Sequence, residues 1–484
     1  MNLAALLDDT GLAKVEGQDN LEITGIAIDS RKIAEGHLFA AMKGTEVDGH
    51  EFIAAAREKG AVAVLYDDLS ADIPAGMVGV PCTDVRSVLG LVARNFYGDS
   101  SQSLKLVGIT GTNGKTTVAT IAYNLFKGLG YKVGLISTIE IRIGDRHVST
   151  KLTTPDVISL HRLMSEMESE GCEYVFMEAS SHAIVQERIG GLHFAAGVFT
   201  NITHDHLDYH GTFKNYIQAK KMFFDRLPEN SFAVVNADDK NGKVMVQNCP
   251  SDKFYYSLRS MTDYKAKIIS ADTFSTYLDI NDHKLMTRMI GEYNVYNLLA
   301  VYALADLFSI ASTDEVVREL SAVGAPAGRL EWVLDEPKVV VDYAHTPDAL
   351  KNILQTIKRL VQTEKITTVV GCGGNRDKDK RPKMAKVACD YSDYVVLTAD
   401  NPRDEDPLDI IKEMKSGLDG REQFKTSEIA DREAAIITAL DMADSKDIVL
   451  IAGKGHVTYQ EIKGIRRFFS DQEVVRKWKA SKDI

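Results

Sequence analysis

Long apolar runs are missing from this sequence of 484 residues. Nowhere do eighteen apolar residues follow one another, so no membrane-spanning helix is expected. The first ten residues hold no basic cluster and reach Asp8 and Asp9 before any long apolar stretch, so no secretory signal is expected either. Positive charge is also short. With 57 lysines and arginines against 69 aspartates and glutamates, the formal net charge is −12, which argues against a nucleic-acid partner, whose phosphates need a basic face. Small phosphate ligands need only a local nest of N–H groups and remain open. Cysteine is scarce: Cys82, Cys172, Cys249, Cys372 and Cys389 are odd in number and form no Cys-x-x-Cys. Free thiols in a reducing compartment are expected, without disulfides or a zinc site. No repeat or low-complexity tract is present. These absences leave a cytoplasmic protein of ordinary globular composition, 44% hydrophobic and 26% charged, long enough for roughly three domains.

Three blocks organise the chain. Residues 1–101 mix strand-like runs at 26–28 and 61–66 with a helix over 51–59, and end at the polar stretch 98–103, a linker candidate. From 102 to 333 strand and helix patterns alternate, with strands over 174–177 and 195–199. That pattern reads as a P-loop ATPase-like domain on a mostly parallel sheet. Asp335-Glu336-Pro337 breaks it, and a hinge is expected near 334–338. Residues 334–484 alternate again, with strands over 339–341, 366–370, 394–397 and 448–451 and a helix over 348–360. A smaller Rossmann-like domain is expected there. The fold class is therefore α/β in three domains, the first a small N-terminal α/β unit.

The most informative segment is Gly108-Ile109-Thr110-Gly111-Thr112-Asn113-Gly114-Lys115-Thr116-Thr117. It follows a β-branched apolar run and opens a stretch of helical spacing. A glycine-rich turn between strand and helix aims N–H groups and a helix N-terminus at one point, where a polyphosphate binds. Lys115 would reach the β- and γ-phosphates, and Thr116 would place its hydroxyl on Mg²⁺. More polar residues fall at the ends of later strands, where open α/β sheets bind ligands. Glu178 closes one strand; Asn201, His204, Asp205, His206 and Asp208 follow another. A carboxylate and an imidazole beside the P-loop threonine could hold Mg²⁺, although His206 could equally cap a helix or touch substrate.

Lys220 is the sharper case. On a helix expected over 213–227, residues Phe213, Tyr216, Ile217, Phe224 and Leu227 share a face at about 100° per residue. Lys220 falls in the middle of that face and Lys221 at its edge. Either the Lys220 stem packs while its ammonium snorkels to water, or burial depresses its pKa. A neutral amine could capture CO₂ as a carbamate, converting a cation into a carboxylate-like Mg²⁺ ligand.

The eight residues 110–117 depart from G-x-x-x-x-G-K-[ST], whose first glycine would fall on Ile109. They resemble the variant of the Mur ligase and folylpolyglutamate synthase superfamily. Taken with Glu178, His206 and Lys220, the chain resembles the Mur ligase family over essentially its whole length, most densely the members that add the third residue of the peptidoglycan stem peptide. The resemblance implies a monomeric ligase using ATP and Mg²⁺, with Lys115, Glu178, His206 and Lys220 as catalytic residues. It also implies metal ligands Thr116, Glu178, His206 and Lys220, the last as N6-carboxylysine. ATP contacts would come from Gly111, Thr112, Asn113, Gly114, Lys115, Thr116 and Thr117. They continue to Asn297 in a G-x-x-N-x-x-N segment, Arg329 in Gly-Arg-Leu-Glu, and Asp342 and His345 in Asp-Tyr-Ala-His-Thr-Pro. The substrate UDP-MurNAc-L-Ala-D-Glu would meet Ser30, Thr45, Glu46 and Val47 in the first block, then Thr153, Thr154, Ser180, Gln186 and Arg188 in the second.

The added amino acid would be meso-diaminopimelate, held by Arg376, Asp400, Asn401, Pro402, Arg403, Gly453 and the residue at 457. Here the physics is direct. Diaminopimelate carries a second carboxylate that lysine lacks, and an arginine offers it a bidentate partner. Asp377-Lys378-Asp379-Lys380 taken alone reads as a surface turn with solvated charges. One position departs from the family: Val457 stands where glutamate usually receives the distal ammonium, so LL-diaminopimelate or lysine stay open as alternatives. A folylpolyglutamate synthase-like enzyme would lack the first 100 or so residues and the Asp-Asn-Pro-Arg loop. A nucleotide-switched binding module would turn over ATP without regard to any amine.

Overall fold

The computed structural model describes residues 1–44, 47–150, 152–272, 275–361 and 363–482, so Thr45 and Glu46 lie outside it. Among the described residues the strands form four sheets. In the first, β1 (Gly25–Ala27), β2 (His37–Ala41), β3 (Ala63–Tyr66) and β4 (Val78–Pro81) pair in parallel and in sequence order. The helix Val85–Tyr97 covers one face, started by Asp84, whose side chain accepts from Arg86 N. Its Val88, Leu89 and Val92 pack with Leu38, Ala40 and Val80 and with Val157 and Ile158 of the next block. Burial of those three helix side chains contributes on the order of 5–9 kcal/mol and docks the first block onto the second. The linker candidate at 98–103 is no loose tether: a short turn, Ser100–Ser103, buries Ser100 and Ser101 there.

The second sheet has eleven strands: β5 (Lys105–Thr110), β6 (Val133–Ile136), β7 (Ile141–Ile143), β8 (Arg146–Val148), β9 (Tyr174–Glu178), β10 (Ala196–Phe199), β11 (Phe232–Asn236), β12 (Asp252–Ser257), β13 (Tyr264–Ala271), β14 (Thr276–Ile280) and β15 (His283–Thr287). Their order is β15-β14-β13-β12-β11-β10-β5-β9-β6-β7-β8. The stretch from β13 to β6 is parallel, as the alternating pattern implies, while β14–β15 and β7–β8 add antiparallel edges by short hairpins. Such hairpins carry no βαβ signal and escape a reading by alternation. β5 lies at the centre with β10 and β9 on either side, so the turn after β5 opens beside the ends of both neighbours. Gly108 lets the helix Phe213–Asp225 lie close over β5: a Cβ there would come within 2.4 Å of the Phe223 ring. That approach carries Lys220 to the phosphate loop.

The third sheet comprises β16 (Glu331–Asp335), β17 (Lys338–Asp342), β18 (Ile366–Cys372), β19 (Tyr394–Ala399), β20 (Thr426–Glu428) and β21 (Ile448–Ala452) in the order β16-β17-β21-β18-β19-β20. All pairs are parallel except β16–β17. The break expected at 333/334 falls inside β16, and 334–338 spans the end of β16, the two-residue turn 336–337 and the start of β17, a hairpin within this sheet. The hinge expected near 334–338 therefore lies within this hairpin, and the chain crosses between the two blocks in 323–330, before β16 begins. A last hairpin, β22 (Tyr459–Ile462) with β23 (Ile465–Phe468), forms the fourth sheet. The five cysteines are free, and no described helix is long and apolar enough to cross a membrane.

Candidate active site

The phosphate loop is built from β5, the turn 111–114 and the helix Lys115–Gly128. Gly111 has φ +148°, and a Cβ on it would stand 1.9 Å from Thr200 Oγ1. Gly114 caps the helix in the left-handed region. The loop after β10 braces the turn: Thr200 Oγ1 donates to Asn113 O at 2.6 Å, and Asn113 N donates to Asn201 Oδ1 at 3.0 Å. Lys115 Nζ folds back onto the carbonyls of Gly111 and Thr112, each at 2.9 Å. Burial lowers its pKa against the opposing charges of Glu178 and Asp205. Thr116 and Thr117 are buried at the first turn, where helix N–H groups remain unpaired.

A cleft of about 440 Å³ opens beside this loop between the second and third sheets, lined in part by Asn113, Thr117, Asn297, Arg329 and Asp342. Arg329 crosses from the inter-block segment to donate to Thr116 Oγ1 at 3.2 Å and stacks over Tyr343 at 4.4 Å. Its Nε and the Tyr293 hydroxyl are buried without a partner among the described residues, as donors awaiting a polar ligand would be. Asn297 is buried and donates to Asn294 Oδ1 at 3.2 Å. Asp342 accepts from Leu330 N and Ala344 N, both at 2.6 Å, while burial pushes its carboxyl up to about 6. Asn113 Nδ2 reaches Asp348 Oδ2 at 3.3 Å, tying the loop to the third-sheet block.

Three of the expected catalytic groups, Glu178, Lys220 and His206, converge next to the loop and its Lys115. Glu178 ends β9 fully buried and accepts from Thr138 N at 2.7 Å and Thr138 Oγ1 at 3.2 Å. Lys220 is 1% exposed, so it does not snorkel; its Nζ donates to Gly111 O at 2.8 Å and lies 4.7 Å from the Tyr216 ring centroid. Burial and the nearby Lys115 charge hold its pKa well below the ordinary lysine value, with Asp205 opposing. Lys221 is buried too and pairs with Asp225. His206 sits in the left-handed region at φ +54°, and burial pushes its imidazole well below the usual histidine value despite Asp205 beside it. Asp205 accepts from His206 N at 2.9 Å. Burial would raise its pKa, but His206, His345 and Lys380 hold it below the usual carboxylate range. His345 Nε2 and Lys380 Nζ each approach it to 3.9 Å from the third-sheet block.

Among the described residues no three His, Cys, Asp or Glu side chains gather into a metal cage. The donor set instead suits a hard cation that keeps waters and shares a nucleotide phosphate. Glu178 is a buried carboxylate with no ion-pair partner among the described residues, Thr116 adds a hydroxyl, and His206 is kept neutral.

Thr153, Thr154, Ser180, Gln186 and Arg188 gather on the side facing the first block. Thr154 Oγ1 donates to Glu178 O at 2.7 Å and accepts from Ser180 N at 3.2 Å. Ser180 caps the helix Ser181–Val185. Thr138 Oγ1 meets Thr153 Oγ1 at 3.0 Å, and Arg188 reaches Thr154 O and Gln186 Oε1, both at 3.0 Å. Ser30 opens a short turn in the first block, fixed by Asp29 accepting from Arg31 N, and Val47 is exposed. Among the described residues no hydrogen bond or ion pair joins these two to the phosphate side.

The residues expected to hold the amino acid come from several strand ends of the third sheet. Asp400, Asn401, Pro402 and Arg403 follow β19; Gly453 and Val457 follow β21; Arg376 follows β18. Arg403 Nη1 donates to Gly374 O at 2.6 Å, and burial and the Arg376 charge lower its pKa. No carboxylate pairs with Arg376 or Arg403 among the described residues. Gly453, at φ +115°, leaves room for Asp400, whose Oδ2 would lie 3.0 Å from a Cβ there. Val457 is half-buried on the same loop, its N–H bonded to Lys454 O at 3.0 Å. The surface-turn reading of 377–380 is overturned for two members: Asp377 and Lys380 are buried. They face His204 and Asp205 across the blocks, His204 Nε2 lying 3.2 Å from Asp377 Oδ2. Thr138, Asp348 and Lys380 carry no motif. For Thr138 the one available signal is its place just past β6, next to the end of β9.

Comparison with known proteins agrees along the whole chain. Three family models match: Mur ligase family, catalytic domain, over residues 22–97; Mur ligase middle domain over 109–305; and Mur ligase, glutamate ligase domain, over 328–455. UDP-N-acetylmuramoyl-L-alanyl-D-glutamate–2,6-diaminopimelate ligase of Bacteroides fragilis is 50% identical over 479 residues, covering 98% of this chain and 99% of its own. A solved structure of an enzyme with the same name superposes with a TM-score of 0.70 at 31% identity, covering 100% and 99% of the two chains. MurF from Acinetobacter baumannii shares the fold at 16% identity, with a TM-score of 0.67 over 99% of this chain and 98% of its own. With a P-loop braced by Thr200 and Asn201, a buried lysine on its carbonyl and matching relatives over almost every residue, the chain belongs to the Mur ligase family.

Proposed function

We propose that the protein is an ATP-dependent ligase that joins meso-diaminopimelate to UDP-MurNAc-L-Ala-D-Glu in peptidoglycan precursor synthesis, working as a cytoplasmic monomer. The observation that carries this reading is the placement of Arg376 and Arg403, which have no carboxylate partner among the described residues, in the block that closes the far side of the phosphate-loop cleft. A terminal carboxylate oxygen of the muramyl dipeptide attacks the γ-phosphorus of ATP, and ADP leaves. The amine of diaminopimelate then adds to the acyl carbon. The tetrahedral intermediate expels phosphate, and the new amide nitrogen loses its proton to solvent or a nearby base.

In this scheme the loop N–H groups and Lys115 stabilise charge on the transferring phosphoryl group, where preorganised donors act most strongly. Thr154, Ser180 and Arg188 orient the dipeptide next to Glu178. Arg403 and Arg376 take the distal carboxylate. Lys220, kept neutral by its surroundings, adds to CO₂ through Nζ and releases a proton, leaving a carbamate. Thr116, Glu178, His206 and that carbamate would hold Mg²⁺, which supplies charge neutralisation at the phosphates. The test is phosphate release with UDP-MurNAc-L-Ala-D-Glu while the amine is varied. Turnover that requires diaminopimelate is expected; turnover indifferent to any amine overturns the ligase reading.

A further inference from the structure

β19 and β21 are not neighbours, because β18 runs between them. Their last residues, Ala399 and Ala452, launch the Asp400–Arg403 and Gly453–Val457 loops. Pairing with β18 spaces the two strands as far as Ala399 and Ala452 but ends there, and side chains join the two loops beyond.

Arg432 stands under both. It opens the helix Arg432–Met442, and its guanidinium donates from Nη1 to Ala399 O at 3.3 Å and from Nη2 to Ala452 O at 3.1 Å. The other edge of the fork meets Asp471, with Nε to Oδ1 at 2.8 Å and Nη2 to Oδ2 at 2.7 Å, and neither side chain has any exposed surface. Stability alone does not call for such an arrangement, since a buried ion pair is often no better than an apolar substitute. A planar fork instead fixes the distance between the groups it joins. Lys454 makes a second tie one layer above. Its buried Nζ donates to Asn401 Oδ1 at 3.0 Å and Tyr459 O at 2.7 Å, and lies 3.5 Å from Asp400 Oδ1. Asn401 Oδ1 also accepts from Glu461 N at 2.9 Å, and Glu461 O accepts from Arg403 N at 3.1 Å. The ties thus run unbroken from Arg432 to the backbone of Arg403.

We propose that Arg432, neutralised by Asp471, and Lys454 are positioning residues that set the spacing of the amino-acid loops and so the aim of Arg403; this rests on the amino-acid pocket proposed above. Arg432→Lys keeps a cation opposite Asp471, but one ammonium cannot serve two carbonyls and two carboxylate oxygens. In the full-length enzyme this variant should raise KM for diaminopimelate about 10- to 100-fold, the usual effect of losing a group that orients a binding residue. KM for ATP and for the muramyl dipeptide should stay within about two-fold, and discrimination against lysine should fall, because geometry rather than charge is lost. An unchanged amino-acid KM, or an equal rise in all three KM values, overturns the positioning role. Lys454→Met should give the same pattern and decides alone if Arg432→Lys does not fold. Arg403→Ala run alongside separates the two readings. If it leaves the amino-acid KM untouched, the pocket is misassigned and this inference falls with it; if it raises that KM while both positioning variants do not, only the positioning role falls.

Discussion

Eight consecutive residues, 110–117, make the P-loop turn, whereas the loops proposed to hold the amino acid draw on 373–376, 400–403, 453–457 and 459–462. The first site is rigid because of local backbone geometry: Gly111 and Gly114 take conformations closed to other residues, and the adjoining strand end braces the turn. The second is rigid because buried side chains, Arg432 from a distant helix and Lys454 from one of the loops, tie strand ends and loops together. A site of the first kind is fragile to a single methyl group. A site of the second kind tolerates local changes but fails when a remote charge is moved.

The largest effect expected is at Lys220, which belongs to the phosphate side yet reaches it from a separate helix. Lys220→Ala should reduce ligation by roughly 10²–10³-fold or more, the scale of losing one preorganised electrostatic group. Added acetate or formate should restore part of it by taking the vacated carboxylate position. Wild-type-like rates in the alanine variant would remove the residue from the mechanism.

Next comes Arg403→Ala. Losing a charge-assisted pair with the distal carboxylate should cost about 2–4 kcal/mol, or roughly 30- to 1,000-fold in kcat/KM for diaminopimelate. The weak background with lysine should barely move, because lysine never made the contact. If wild type prefers lysine, the assignment of Arg403 is wrong.

Gly111→Ala tests the other half of the comparison. Its Cβ would collide with Thr200 Oγ1 at 1.9 Å on a backbone of φ +148°, so the loop must shift. A displacement near an ångström should cost about 10²-fold in ATP turnover. Gly420→Ala, with no atom within 4 Å of the new Cβ, should change nothing, and equal behaviour of the two variants would refute the backbone argument.

The smallest effect concerns Val457. An alkyl group cannot accept a hydrogen bond from the distal ammonium, so wild type should separate meso- from LL-diaminopimelate only weakly. Val457→Glu should sharpen the preference by about ten-fold, the worth of one charged hydrogen bond. Kinetics with the two isomers decide it, and strong selection for meso by the wild type would sink the idea.

Sequence alone was enough for whatever depends on neighbours along the chain. The strand–turn–helix at 105–128 is written in its glycines and β-branched residues. The apolar face of the helix Phe213–Asp225 already places Lys220 inward, because helical periodicity is a local property. The loops after β9, β10 and β19 could be placed at strand ends for the same reason. Tertiary structure alone decided what meets across blocks. That Lys220 touches Gly111 O, that Lys380 and His345 approach Asp205, and that β16 belongs to the third sheet all depend on which surfaces pack together. Arg432 shows it most plainly: its ordinary place at a helix start gives no hint of a role. Only folding, which sets two non-adjacent strand ends within one guanidinium's span, gives the residue its meaning, because a fork of fixed geometry can act only on groups the fold has already brought to it.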